Sequence, residues 1–159
     1  MTTAIRAAEL AAGIREEEAL DYFGKKLRVP VTELAPKVEQ ALGEIYGHLA
    51  TMGIKPVGAP FGMYHAPHEG YIECEVGVPC ERPCAAQGDL QSGRLPGGPV
   101  AFAIHIGAYS EIPHLYPKLW EWIKAHGHTS KAPPREVYLT DPTDARAIAP
   151  VTELVWPIV

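Results

Sequence analysis

The chain has 159 residues and a net charge of −5, from 14 Lys plus Arg against 19 Asp plus Glu. Its 47% apolar and 21% charged residues are ordinary globular usage, which excludes wholesale disorder and sets one domain as the expectation. With a pI near 5.8 there is no basic footprint for a phosphate backbone, so direct nucleic-acid binding is not expected. No apolar run reaches the about 18 residues of a membrane helix, and the opening MTTAIRAAELAAGIREEEAL lacks the apolar centre of a signal peptide, so a cytoplasmic protein without a membrane segment is expected.

Residues 1–19, rich in Ala and Glu, suggest a frayed helical extension. Leu20 to Val29, ending at Pro30, suggests a strand. Thr32 is a candidate cap for a helix on which Val38, Leu42, Ile45, Tyr46, Leu49 and Met52 recur at three-to-four spacing, closed by Gly53. Gly58-Ala59-Pro60 marks a turn, and Phe61 to His65 and Tyr71 to Val78 then predict a hairpin. Residues 80–99, poor in large apolar side chains, predict a long connector. The order of elements then returns. Val100 to Ile106 alternates as a strand, Ser110 is a candidate cap for a helix striped by Ile112, Leu115, Leu119, Trp122 and Ile123, and Gly127 ends it. Arg135 to Thr140 predicts a strand, Asp141 to Pro150 a loop, and Val151 to Val159 a terminal strand.

The return is a repeat in one register. GAPFGMY at 58–64 aligns with APPREVY at 132–138, an offset of 74, which also places Tyr46 on Trp120, Leu49 on Ile123 and Gly53 on Gly127. Pro79 and Pro157 differ by 78, which a longer second loop accommodates. A half that cannot bury its own sheet face pairs with a twin, so the pattern predicts duplicated strand-helix-strand-strand units. The expected fold class is α+β: an antiparallel sheet with two helices, pseudo-twofold symmetry and a central ligand cleft. Repeat one is expected over about 20–79 and repeat two over 100–159.

The cysteines Cys74, Cys80 and Cys84 fit neither a metal knuckle nor a secreted disulfide framework, and are read as reduced thiols, Cys74 in a strand and the others in a loop. No metal and no cofactor are expected. The seven histidines show no zinc-enzyme spacing, and His126 and His128 at a helix end read as dipole partners or solvent groups.

Several segments together resemble the GyrI-like small-molecule-binding family, which is similar to the effector-binding domains of AraC-type and MerR-type multidrug regulators. They are GAPFGMY and YIECEVGVPC, then HIGAYSEI, LYPKLWEWIKAHG, PPREVYLTDP and ELVWPIV. The most specific pieces are Gly107-Ala108-Tyr109 before the second helix and Pro134-Arg135-Glu136-Val137-Tyr138. The resemblance covers about residues 20–159 and implies a single domain with a concave pocket for flat, often cationic, aromatic compounds. Glu136 matches the family's pocket carboxylate.

On an alternating strand Glu136 and Tyr138 share a face, and a carboxylate among aromatic rings suits a ligand cation. The repeat places Gly62 at the position equivalent to Glu136, so that one half offers charge and the other leaves room. Tyr64 and Tyr138 are expected in the pocket, Phe102 and Ile104 in core or pocket, and Tyr109 in the pocket or tying the helix entrance. Trp122 joins the helix stripe, whereas Trp120 either lines the cleft or covers a helix edge. Tyr71 shares a strand face with Glu73 and Glu75, which read as a solvated outer face or an acidic pocket wall.

The leading expectation is a stand-alone module that binds hydrophobic or cationic aromatic small molecules, without a DNA-binding segment. The alternative, which the resemblance also implies, is a hydrolase that opens the strained cyclopropane of DNA-alkylating natural products with Glu136 as base. A third is a protein partner such as DNA gyrase. An exposed strand at either end leaves room for a homodimer.

Overall fold

The computed structural model describes residues 10–140 and 149–159. In chain order it contains β1 (Ala11–Glu17), β2 (Leu20–Pro30), a 3-10 turn (Val31–Glu33), α1 (Leu34–Met52), β3 (Phe61–Tyr64), β4 (Tyr71–Cys80) and β5 (Leu90–Leu95). It continues with β6 (Gly98–Ile106), a second 3-10 turn (Tyr109–His114), α2 (Leu115–Ala125), β7 (Arg135–Tyr138) and β8 (Val151–Pro157). The class is α+β, as expected. The described residues group into two compact units, one of residues 19–96 and one joining residues 10–18 to residues 97–140 and 149–159. Each holds a strand, a helix and two further strands in that order, plus one additional edge strand.

In the 19–96 unit the strand order is β3-β4-β2-β5, with antiparallel pairing. The apolar stripe of α1, including Val38, Ala41, Leu42, Ile45 and Leu49, packs with Phe23, Val76 and Val78, all three fully buried. Burying each such side chain stabilises the unit by about 1.5–3 kcal/mol. Gly53 closes the helix at φ 68°, the left-handed conformation that glycine adopts without strain, and the Ile54 N–H donates back to Leu49 O at 2.9 Å. Thr32 does not cap this helix: it lies inside the 3-10 turn, and no side chain caps α1.

The expected 80–99 connector is shorter and more structured than its composition suggests. Strand β4 runs through Cys80, β5 pairs with β2, and β6 begins at Gly98. Gly93 in β5 lies against the Tyr22 ring, where an added Cβ would stand 2.3 Å from Tyr22 Cζ. What reads as a loop glycine is therefore the seat of an aromatic ring. Cys74 sits in β4, Cys80 ends that strand and Cys84 follows in the connector; all three are buried.

In the second unit the order is β1-β6-β8-β7, again antiparallel. Leu115, Leu119 and Ile123 of α2 pack on Ala101, Ala103 and Leu154, the two small alanines letting the helix approach the sheet closely. Ser110 does not cap α2, because it lies within the second 3-10 turn and no side chain caps the helix.

The expected helical start is overturned here: residues 11–17 form β1, paired with β6 from Ala11↔Ile104 to Glu17↔Gly98. Tertiary partners override the helix propensity of Ala and Glu. Arg15 Nη1 donates to Glu153 Oε2 at 2.9 Å, Arg15 Nη2 donates to Glu17 at 3.0 Å and also bonds Glu153 Oε1, and the guanidinium lies 4.5 Å from the Phe102 ring centre. Buried Arg135 adds a 3.7 Å ion pair to Glu17. Of the loop expected over 141–150, residues 141–148 lie outside the described residues.

Candidate functional site

Strand alternation decides which side chains the second unit gathers on the α2 side of its sheet. Cross-strand partners share a face, and the register Ala103↔Leu154↔Glu136 puts Glu136 on the face that α2 covers. One row along, His105↔Thr152↔Tyr138 lies on the same face.

Glu136 is half-buried, and both of its carboxylate oxygens are engaged by phenols. Tyr116, on the first turn of α2, donates to Oε2 at 2.6 Å, and Tyr138 donates to Oε1 at 3.1 Å. Burial pushes the carboxyl above its ordinary range, an effect partly offset by the Tyr116 and Tyr138 hydrogen bonds and by His105. Among the described residues no Lys or Arg pairs with it.

Aromatic rings extend from this carboxyl in two directions. Tyr109 meets Tyr138 edge-on at 6.0 Å; Tyr116 meets Trp156 at 6.4 Å, and Trp156 stacks on Trp120 at 5.4 Å and 22°. Lys124 lies 5.6 Å over the far Trp120 ring. Trp120 thus packs against the core of its unit and joins the Glu136 side through Trp156. Trp122 is half-buried, packs against the α2 core as its place in the stripe predicts, and stacks on His126 at 3.9 Å.

Tyr116 and Trp156 were not singled out from the sequence. Tyr116 stands four residues before Trp120, one turn away on the same helix face, and Trp156 lies two residues beyond Leu154, on the same strand face. Both signals were legible once Trp120 and Glu136 were placed together.

Other expected site residues lie elsewhere. Phe102 pairs with Val155 and Ile104 with Glu153, so both point to the opposite face from Glu136, Phe102 beneath the Arg15 guanidinium. A one-residue difference in strand position reverses the face. Tyr64 and Tyr71 belong to the 19–96 unit. The space expected at Gly62 is taken by Tyr64 itself, whose ring stands 2.6 Å from an added Cβ.

Tyr71 is exposed, with the Arg28 guanidinium 4.5 Å over its ring. Glu73 is exposed, and Glu75 accepts a 2.8 Å bond from Tyr22, whose hydroxyl burial raises above the ordinary phenol range. A groove of about 430 Å³ in this unit is lined by Lys26, Arg28, His65, Glu73 and Glu75 among others, a mixed-charge surface unlike the Glu136 site. Among the described residues no group of three or more His, Cys, Asp or Glu side chains is placed to hold a metal ion, and no helix is long and apolar enough to cross a membrane.

No curated relative matches the sequence. Among solved structures, the EcmrR C-terminal domain is 20% identical, with a TM-score of 0.76 over 94% of this chain and 98% of that one. In an EcmrR–DNA complex the TM-score is 0.83 over 99% of this chain, which spans 60% of the EcmrR chain at 20% identity. A hydrolase from Listeria innocua is 13% identical, with a TM-score of 0.66 over 94% of this chain and 92% of that one. SAV2435 bound to tetraphenylphosphonium is 13% identical, with a TM-score of 0.54 over 93% of each chain. At these identities the likeness is one of fold. A family model for the GyrI-like small molecule binding domain matches residues 13–159, nearly the whole sequence, and the chain belongs to that family.

Proposed function

We propose that the protein binds bulky aromatic cations at Glu136, with Tyr116, Tyr138, Trp156 and Trp120 supplying ring surface. The observation that carries this reading is a half-buried carboxyl held by two phenols and facing no Lys or Arg among the described residues. Burial disfavours its ionised form, and a ligand cation favours that form while the rings receive the apolar body. The tetraphenylphosphonium held by the similarly folded SAV2435 supports this ligand class.

The test is calorimetric titration of tetraphenylphosphonium into wild type and Glu136→Gln. Affinity in the variant is expected to fall about tenfold, close to 1.4 kcal/mol. Wild-type affinity is expected to rise with pH as the carboxyl ionises. Equal affinity in the two proteins refutes the assignment.

A further inference from the structure

Thr152 is the anomaly on the Glu136 face. Its side chain is 1% exposed, and its Oγ1 has no hydrogen-bond partner among the described residues. Its two cross-strand neighbours are polar but occupied: His105 Nε2 contacts Ala108 O at 2.9 Å, and the Tyr138 hydroxyl donates to Glu136. An unpaired buried hydroxyl is destabilising, and valine has the same branched shape and an equal preference for strands. Strand formation therefore does not account for the hydroxyl.

We infer that Thr152 is a recognition residue whose hydroxyl donates to an acceptor oxygen on the ligand, so that the site selects an aromatic cation carrying such an oxygen. This rests on the reading of Glu136 as the cation partner. Diagonal cross-strand neighbours stand about 7–8 Å apart, the separation the two ligand groups would span. The Tyr138 bond to Glu136, at 3.1 Å, is longer than the 2.6 Å bond from Tyr116. A cation that takes Glu136 Oε1 from Tyr138 lets that ring turn aside and uncover its neighbour Thr152.

The experiment compares tetraphenylphosphonium with its para-acetylphenyl triphenylphosphonium analogue in wild type, Thr152→Val, Thr152→Ser and Glu136→Gln, together with melting temperatures. Wild type is expected to prefer the acetyl probe by about tenfold, one good hydrogen bond. Thr152→Val should lose that preference while keeping its affinity for the plain probe, and should melt about 2–6 °C higher. Thr152→Ser should keep the preference.

Equal discrimination by wild type and Thr152→Val, no discrimination by wild type, or a lower melting temperature in Thr152→Val each overturns the inference. Sensitivity to Glu136→Gln with none to Thr152→Val rejects Thr152 alone. The reverse pattern rejects the Glu136 reading alone, and failure of wild type to bind either probe rejects both.

Discussion

Removing the Tyr116 hydroxyl tests the electrostatics of the site without removing its charge. In the Tyr116→Phe variant the ring remains beside Trp156, while the 2.6 Å bond to Glu136 Oε2 is lost. A hydrogen bond to a charged group contributes about 1.5–3 kcal/mol. The carboxyl is only half-buried and keeps its bond from Tyr138, so the lower end applies, about 1.5–2 kcal/mol. For a chain of this size that lowers the melting temperature by about 3–8 °C.

The assay is a double-mutant cycle by urea denaturation near pH 7.5. With Glu136→Gln as background the bond is between neutral groups, and Tyr116→Phe should cost only about 0.5–1.5 kcal/mol. Acid that protonates Glu136 should reduce the wild-type cost in the same way. The Tyr116 bond also holds the carboxyl down against burial, so Tyr116→Phe should move the Glu136 titration further up. An identical cost of Tyr116→Phe in both backgrounds would refute the view that Tyr116 stabilises an ionised Glu136.

Folding raises the pKa of Glu136, so the folded chain holds this proton more tightly than the unfolded one. The associated stabilisation is present in acid and is lost as pH rises from the ordinary carboxylate range through the raised value. Glutamine removes that dependence, and the melting temperature of Glu136→Gln minus that of wild type should increase between pH 4 and pH 8; a decrease across that range would reverse the assigned sign. Leu119 is fully buried between α2 and the sheet of its unit, and Leu119→Ala should cost about 2–5 kcal/mol in chemical denaturation, whereas a loss below about 1 kcal/mol would contradict the packing.

The sequence by itself determined the elements whose signals are local. The stripe from Val38 to Leu49 and the stripe of Leu115, Leu119 and Ile123 mark the two helices, and Gly53 and Gly127, at φ 68° and 80°, mark their ends. The 74-residue offset found β3 and β7 at 61–64 and 135–138, and period-two alternation put Glu136 and Tyr138 on one face.

Tertiary structure alone decided the rest, because the deciding partners are distant in sequence. Strand β1 forms from helix-prone residues since Arg15 meets Glu153, 138 residues away, and since β6 offers an open edge. Strand β5 forms where Gly93 accepts the Tyr22 ring. Tyr116 and Trp156 lie on the Glu136 face and Phe102 and Ile104 on the opposite one because register assigns faces: one residue of shift along a strand exchanges the two sides of the sheet, and composition carries no record of which register closes the sheet.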